Sequence, residues 1–134
     1  MKIGMLTGGG DCPGLNAVIR GAVRKGVFHY SDEFVGFLEG WRGLIEDKTM
    51  RLDLSTVGGI LPRGGTILRT SRTNPSKRPD GIDRCMATLE KHQIDALIAI
   101  GGDDTFARVR DAERAIDAVE SPSPVSPGLA AGVT

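Results

Sequence analysis

Ile3-Gly4-Met5-Leu6-Thr7-Gly8-Gly9-Gly10, followed by Asp11-Cys12-Pro13-Gly14 and then Leu15-Asn16-Ala17-Val18-Ile19-Arg20, decides how the chain folds. Ile3 to Leu6 is an apolar run of strand length that stops at Thr7 and three glycines. Beyond Gly14, the residues Leu15, Val18, Ile19, Ala22 and Val23 recur at helical spacing and define one apolar face. Arg20, Arg24 and Lys25 fall outside that face and toward the C-terminal end, where cations suit the helix dipole. The opening therefore reads strand, glycine loop, helix.

The same grammar returns downstream. Phe34 to Leu38 is a second strand candidate, closed by Glu39-Gly40. Gly81 to His92 reads as a helix, with Ile82, Cys85, Met86 and Leu89 on one face. Asp95 to Ile100 then forms an apolar strand that ends in Gly101-Gly102-Asp103-Asp104-Thr105. A near-continuous apolar run suits a parallel strand covered on both faces. Strands alternating with helices predict an α/β fold, the N-terminal part of a doubly wound, mostly parallel sheet. From Phe106 to Val119 the spacing allows one more, highly charged helix. Residues 121–134 hold three of the seven prolines and no periodicity, and are expected to be a disordered tail after a 1–120 unit. A doubly wound sheet ending there has few strands and an open edge, so the domain is expected to be truncated.

Composition narrows the function. Lys+Arg 17 balances Asp+Glu 17, which argues against nucleic acid or an anionic membrane as partner. No apolar run is long enough to span a bilayer, and the N-terminus turns into glycines too soon for a signal-peptide core. A cytoplasmic, soluble protein is the expectation. Cys12 and Cys85 lack metal-ligand spacing, and His29 and His92 are isolated. The 19 glycines are clustered, and two clusters follow strands, where ligands bind in open α/β sheets.

Glycine lets backbone approach an anion closely, and the following helix offers free N–H groups. The alternative is that these loops only turn the chain. A Walker A loop is excluded because neither loop carries the required lysine, and Pro13 breaks the dinucleotide fingerprint. Arg63-Gly64-Gly65-Thr66 with Arg69-Thr70-Ser71-Arg72 forms a third polar loop, suited to phosphate oxygens or simply to water. Asp103-Asp104 suits either Mg²⁺ or capping of a helix. Trp41 reads as a packing aromatic.

Gly8 to Asn16, Gly64-Gly65-Thr66 through Ser71-Arg72-Thr73-Asn74-Pro75, and Ile100 to Thr105 together resemble 6-phosphofructokinases, in order and spacing, over about residues 1–105. Ser71 to Pro75 and the Asp103-Asp104-Thr105 ending look most like the actinobacterial, often pyrophosphate-dependent type. The resemblance implies phosphoryl transfer from pyrophosphate or ATP to fructose 6-phosphate, giving fructose 1,6-bisphosphate in glycolysis. It implies that Gly9 and Gly10 cradle donor phosphates, that Arg72, Asp104 and Thr105 border the donor phosphates, and that Asp103 holds Mg²⁺. Trp41 takes the place near the adenine pocket of ATP-using relatives, and a full-length protein would be a homo-oligomer.

Asp104 stands where ATP-using members usually have glycine, and a carboxylate there crowds and repels the nucleotide's α-phosphate. Two like charges at ~4 Å cost on the order of 4 kcal/mol at an effective dielectric of about 20, so pyrophosphate is the expected donor. The family also usually has glycine at Arg69, a replacement that either strains the loop or blocks the pocket. After Thr105 the likeness stops. The family's Thr-Ile-Asp-Asn-Asp segment, which supplies the catalytic aspartate, does not occur in the chain. Little or no turnover is therefore expected of this chain, which reads as a frameshifted or truncated product. The competing readings are a non-catalytic remnant that binds Mg-phosphate or intact subunits, and a phosphate-binding module of other ancestry.

Overall fold

The computed structural model describes residues 1–9, 14–119 and 128–133, with side chains described for 1–9 and 14–114. Among the described residues, five strands form one sheet: β1 (Lys2–Thr7), β2 (Glu33–Phe37), β3 (Thr49–Leu52), β4 (Ala96–Gly101) and β5 (Gly128–Val133). Four α-helices accompany them: α1 (Leu15–Tyr30), α2 (Trp41–Glu46), α3 (Gly81–Lys91) and α4 (Asp103–Val119). The spatial order is β3-β2-β1-β4-β5. Every pairing is parallel except that of β2 with the edge strand β3. The α/β, mostly parallel sheet read from the sequence is the one observed.

Period-two alternation along the strands divides the core into two layers. Ile3 and Met5 of β1, Phe34 of β2 and Ile100 of β4 pack with Leu15, Ile19 and Val23 of α1. Leu6, Phe37, Leu97 and Ala99 point the other way, against Trp41, Leu44 and Ile45 of α2, Cys85 and Leu89 of α3, and Val109 of α4. Burial on both faces explains why β1 and β4 carry apolar runs rather than alternating ones. The first layer is completed by Val57, Ile60 and Leu68, from the long connection after β3.

Several expectations are corrected. Helix α1, whose end the spacing left open, runs to Tyr30, and at Gly26 it passes so close to Phe34 that a β-carbon would collide with the ring. Helix α4 begins at Asp103 rather than Phe106, so both acidic residues lie in its first turn, where carboxylates complement the helix dipole. Helix α2 and strand β3, at six and four residues, have no counterpart in the sequence reading. Of the expected disordered tail, 121–127 and Thr134 lie outside the described residues, whereas Gly128–Val133 is a strand. Its backbone pairs in parallel with β4 from Ala96↔Gly128 to Gly101↔Val133, satisfying polar groups that an open β4 edge would leave free. Among the described residues, no helix is long and apolar enough to cross a membrane.

Candidate functional site

From β1 the chain moves outward to β2 and β3, then returns to lay β4 on the other side of β1. The order therefore reverses between β1 and β4, and their carboxyl ends flank the crevice where such sheets bind ligands. Both glycine loops stand there. The Gly8 amide donates to the Ile100 carbonyl at 2.8 Å, extending the pairing one step past the strand end. Thr105, 3% exposed, fills the space beside both loops. A β-carbon on either Gly8 or Gly101 would run into its side chain. Gly9 has φ 80°, a left-handed conformation that glycine adopts without steric cost.

The third polar loop is drawn over this crevice by specific bonds. Asn16, buried at the start of α1, donates to the Arg63 and Gly64 carbonyls at 3.1 and 3.3 Å. Its side-chain oxygen accepts from the Ile67 amide at 2.8 Å. The Thr7 hydroxyl, at the end of β1, donates to the Arg69 carbonyl at 2.9 Å. The Ser71 hydroxyl donates to the Glu39 carbonyl at 2.6 Å. Motifs far apart in sequence thus meet through side chains that lie inside those motifs.

The result is a cleft of about 760 Å³ lined by Gly8, Gly9, Trp41, Thr70, Ser71, Arg72, Thr73, Asp104, Thr105 and Arg108. Of the residues expected to contact a donor, Gly9, Arg72, Asp104 and Thr105 converge here, with Trp41. Gly10 lies outside the described residues. Asp103 is exposed at the first position of α4 and is not among the lining residues. Arg108 was missed. Its signal was its spacing, one helical turn past Asp104, which puts both on one face of α4. Ser71 and Thr73 stood in a quoted motif without an assigned role.

Arg69 does strain the loop, with φ 60°, but it is exposed and does not line the cleft. The left-handed conformation costs a non-glycine residue about 1–2 kcal/mol, offset partly by glycine's greater chain entropy. Arg69→Gly is therefore expected to stabilise the chain by about 0.5–1 kcal/mol. A urea midpoint that does not rise in the variant would refute this.

Electrostatically the cleft is open to an anion. Arg72, Arg108 and Asp104 make no ion pair with any described residue. The buried Trp41 indole N–H has no hydrogen-bond partner among the described residues. Such an orphaned donor typically costs about 1–3 kcal/mol. The Cys85 thiol is pushed up to about 12 by burial and offers no nucleophile. No group of three metal-ligating side chains occurs among the described residues. Mg²⁺ fits nonetheless, because it takes one or two carboxylates and completes its shell with water and phosphate. Asp103 and Asp104 are exposed oxygen donors of that kind.

Comparison with known proteins bears directly on this site. A sequence model of the family described as Phosphofructokinase matches residues 2–126. The pyrophosphate–fructose 6-phosphate 1-phosphotransferase of Streptomyces coelicolor is 60% identical over 106 residues, covering 79% of this chain and 31% of that protein. ATP-dependent 6-phosphofructokinase 3 of the same organism is 52% identical over 110 residues, covering 82% of this chain and 32% of that protein. The chain thus spans about a third of the length of these relatives, which carry both donor names. The crystal structure of Pichia pastoris phosphofructokinase in the T-state superposes on 98% of this chain and 14% of its own, with TM-score 0.83 and 29% identity.

Proposed function

Since the chain belongs to the phosphofructokinase family, we propose that its cleft holds the phosphoryl donor for transfer to the 1-hydroxyl of fructose 6-phosphate, and that the donor is pyrophosphate. The observation that carries this reading is the convergence of Gly9, Arg72, Asp104 and Thr105 on one cleft at the switch between β1 and β4.

The roles follow from chemistry. Gly9, without a side chain, leaves its backbone open to a phosphate, and the first turn of α4 adds its unsatisfied N–H groups. The Arg72 guanidinium donates in a fork to phosphate oxygens. Asp104 opposes the α-phosphate of a nucleotide, which pyrophosphate is too short to bring there, so pyrophosphate is accepted and ATP is disfavoured. Asp103 would hold Mg²⁺, which neutralises and orients phosphate oxygens when bound. Phosphoryl transfer also needs a base for the sugar hydroxyl, and the family's Thr-Ile-Asp-Asn-Asp segment is not among these 134 residues. Donor binding and turnover are therefore expected to separate in this chain.

Trp41 is the sole tryptophan and lines the cleft, so its emission reports on the site. Titration of the 134-residue chain with magnesium pyrophosphate is expected to give a saturable emission change, with no fructose 1,6-bisphosphate formed on adding fructose 6-phosphate. An emission unaffected by millimolar pyrophosphate would remove the proposal.

A further inference from the structure

We infer that Arg108 is a second phosphate-binding guanidinium, which with Arg72 grips a two-phosphate donor from two walls of the cleft. This rests on the cleft being the donor site, and adds to it what selects a ligand with two anionic groups over one.

Asp104, Thr105 and Arg108 occupy one face of α4 at i, i+1 and i+4, and all three line the cleft. Arg72 reaches the same space from a different element, on a loop fixed next to it by the Ser71–Glu39 bond at 2.6 Å. The two cations thus arrive from separate elements rather than as neighbours along one. Asp104 and Arg108 stand at the spacing favoured for a helical ion pair, yet no such pair forms between them. Arg108 is half-buried without an anion among the described residues, although arginines elsewhere in the chain, such as Arg42, do find carboxylates. With two guanidiniums against one carboxylate, the lining carries a net positive charge. The first turn of α4 adds the positive end of its dipole.

A single phosphate satisfies one arginine fork. A ligand with two joined phosphates can engage one fork at each end, and charge-assisted bidentate bonds are the strong ones. Arg108 also balances Asp104, so that the carboxylate opposing a longer donor does not make the site repel the shorter one.

The test uses the full 134-residue chain and Trp41 emission, with pyrophosphate and inorganic phosphate titrated separately. Arg108→Gln is expected to weaken pyrophosphate binding about tenfold or more and inorganic phosphate less than about threefold. Arg108→Lys, which keeps the charge and loses the fork, is expected to recover only part of the loss. Arg110→Gln, on an exposed residue outside the cleft, is expected to leave both affinities unchanged. Unaltered circular dichroism and melting temperature would separate a binding loss from a folding loss. Wild-type affinity for pyrophosphate in Arg108→Gln overturns the inference while leaving the donor site standing. Equal weakening of the two ligands also overturns it, since that marks a general field rather than a two-ended grip. A wild-type chain that binds neither ligand removes the donor reading and this inference together.

Discussion

Gly8→Ala is expected to destabilise the chain by about 2–3 kcal/mol, and Thr105→Ala is expected to cancel most of that loss. Thr105 is the wedge between the ends of β1 and β4. A β-carbon on Gly8 would overlap the Thr105 hydroxyl, while the Thr105 β-carbon and methyl would lie at 3.5 and 3.6 Å, in ordinary contact. The collision is therefore with one atom. That atom belongs to a β-branched, nearly fully buried side chain with little rotamer freedom. Alanine at 105 removes the atom and should leave room for alanine at Gly8. Urea unfolding of the two single variants and the double variant should give a coupling of about 1.5–2.5 kcal/mol. Strictly additive losses would mean that the glycine at position 8 is required for something other than this contact.

Asp104→Gly is expected to tighten ATP binding by roughly 10–100-fold, with pyrophosphate affinity moving less than about threefold. Full repulsion at ~4 Å and an effective dielectric of about 20 would correspond to nearly a thousandfold. Asp104 is exposed, so water and salt reduce the effect to the smaller range. Asp104→Asn separates two causes: it removes charge and keeps bulk. Calorimetric titration of both variants with both donors should rank ATP affinity as wild type below Asn below Gly. If ATP affinity is equal in all three, Asp104 does not choose the donor.

The parts of the fold legible in the sequence were those where one physical demand dominates. Double-sided burial wrote apolar runs into β1 and β4, and the close approach of two strand ends wrote glycine at positions 8 and 101. Helix α2 and strand β3 left no trace because six and four residues are too few for a period to emerge. Strand β5, Gly128–Val133, is not legible in the sequence because a Gly/Ala-rich stretch carries no side-chain pattern, and its register with β4 is a backbone pairing. Within the site, the three motifs could be read, but not how they meet. That depends on Thr7, Asn16 and Ser71, polar residues whose partners lie 62, 51 and 32 positions away. Arg108 was hidden among the other charges of α4, and only the helix starting at Asp103 turns it toward the cleft.

The central claim is that these residues form a working donor site that prefers pyrophosphate. Its most direct test replaces the matching N-terminal segment of the Streptomyces coelicolor pyrophosphate–fructose 6-phosphate 1-phosphotransferase with residues 1–105 of this chain, so that the donor cleft is read out within a full-length enzyme. The account predicts that this chimaera converts fructose 6-phosphate with pyrophosphate at least about tenfold faster than with ATP. Comparable rates with the two donors, or a folded chimaera that uses neither, would contradict it.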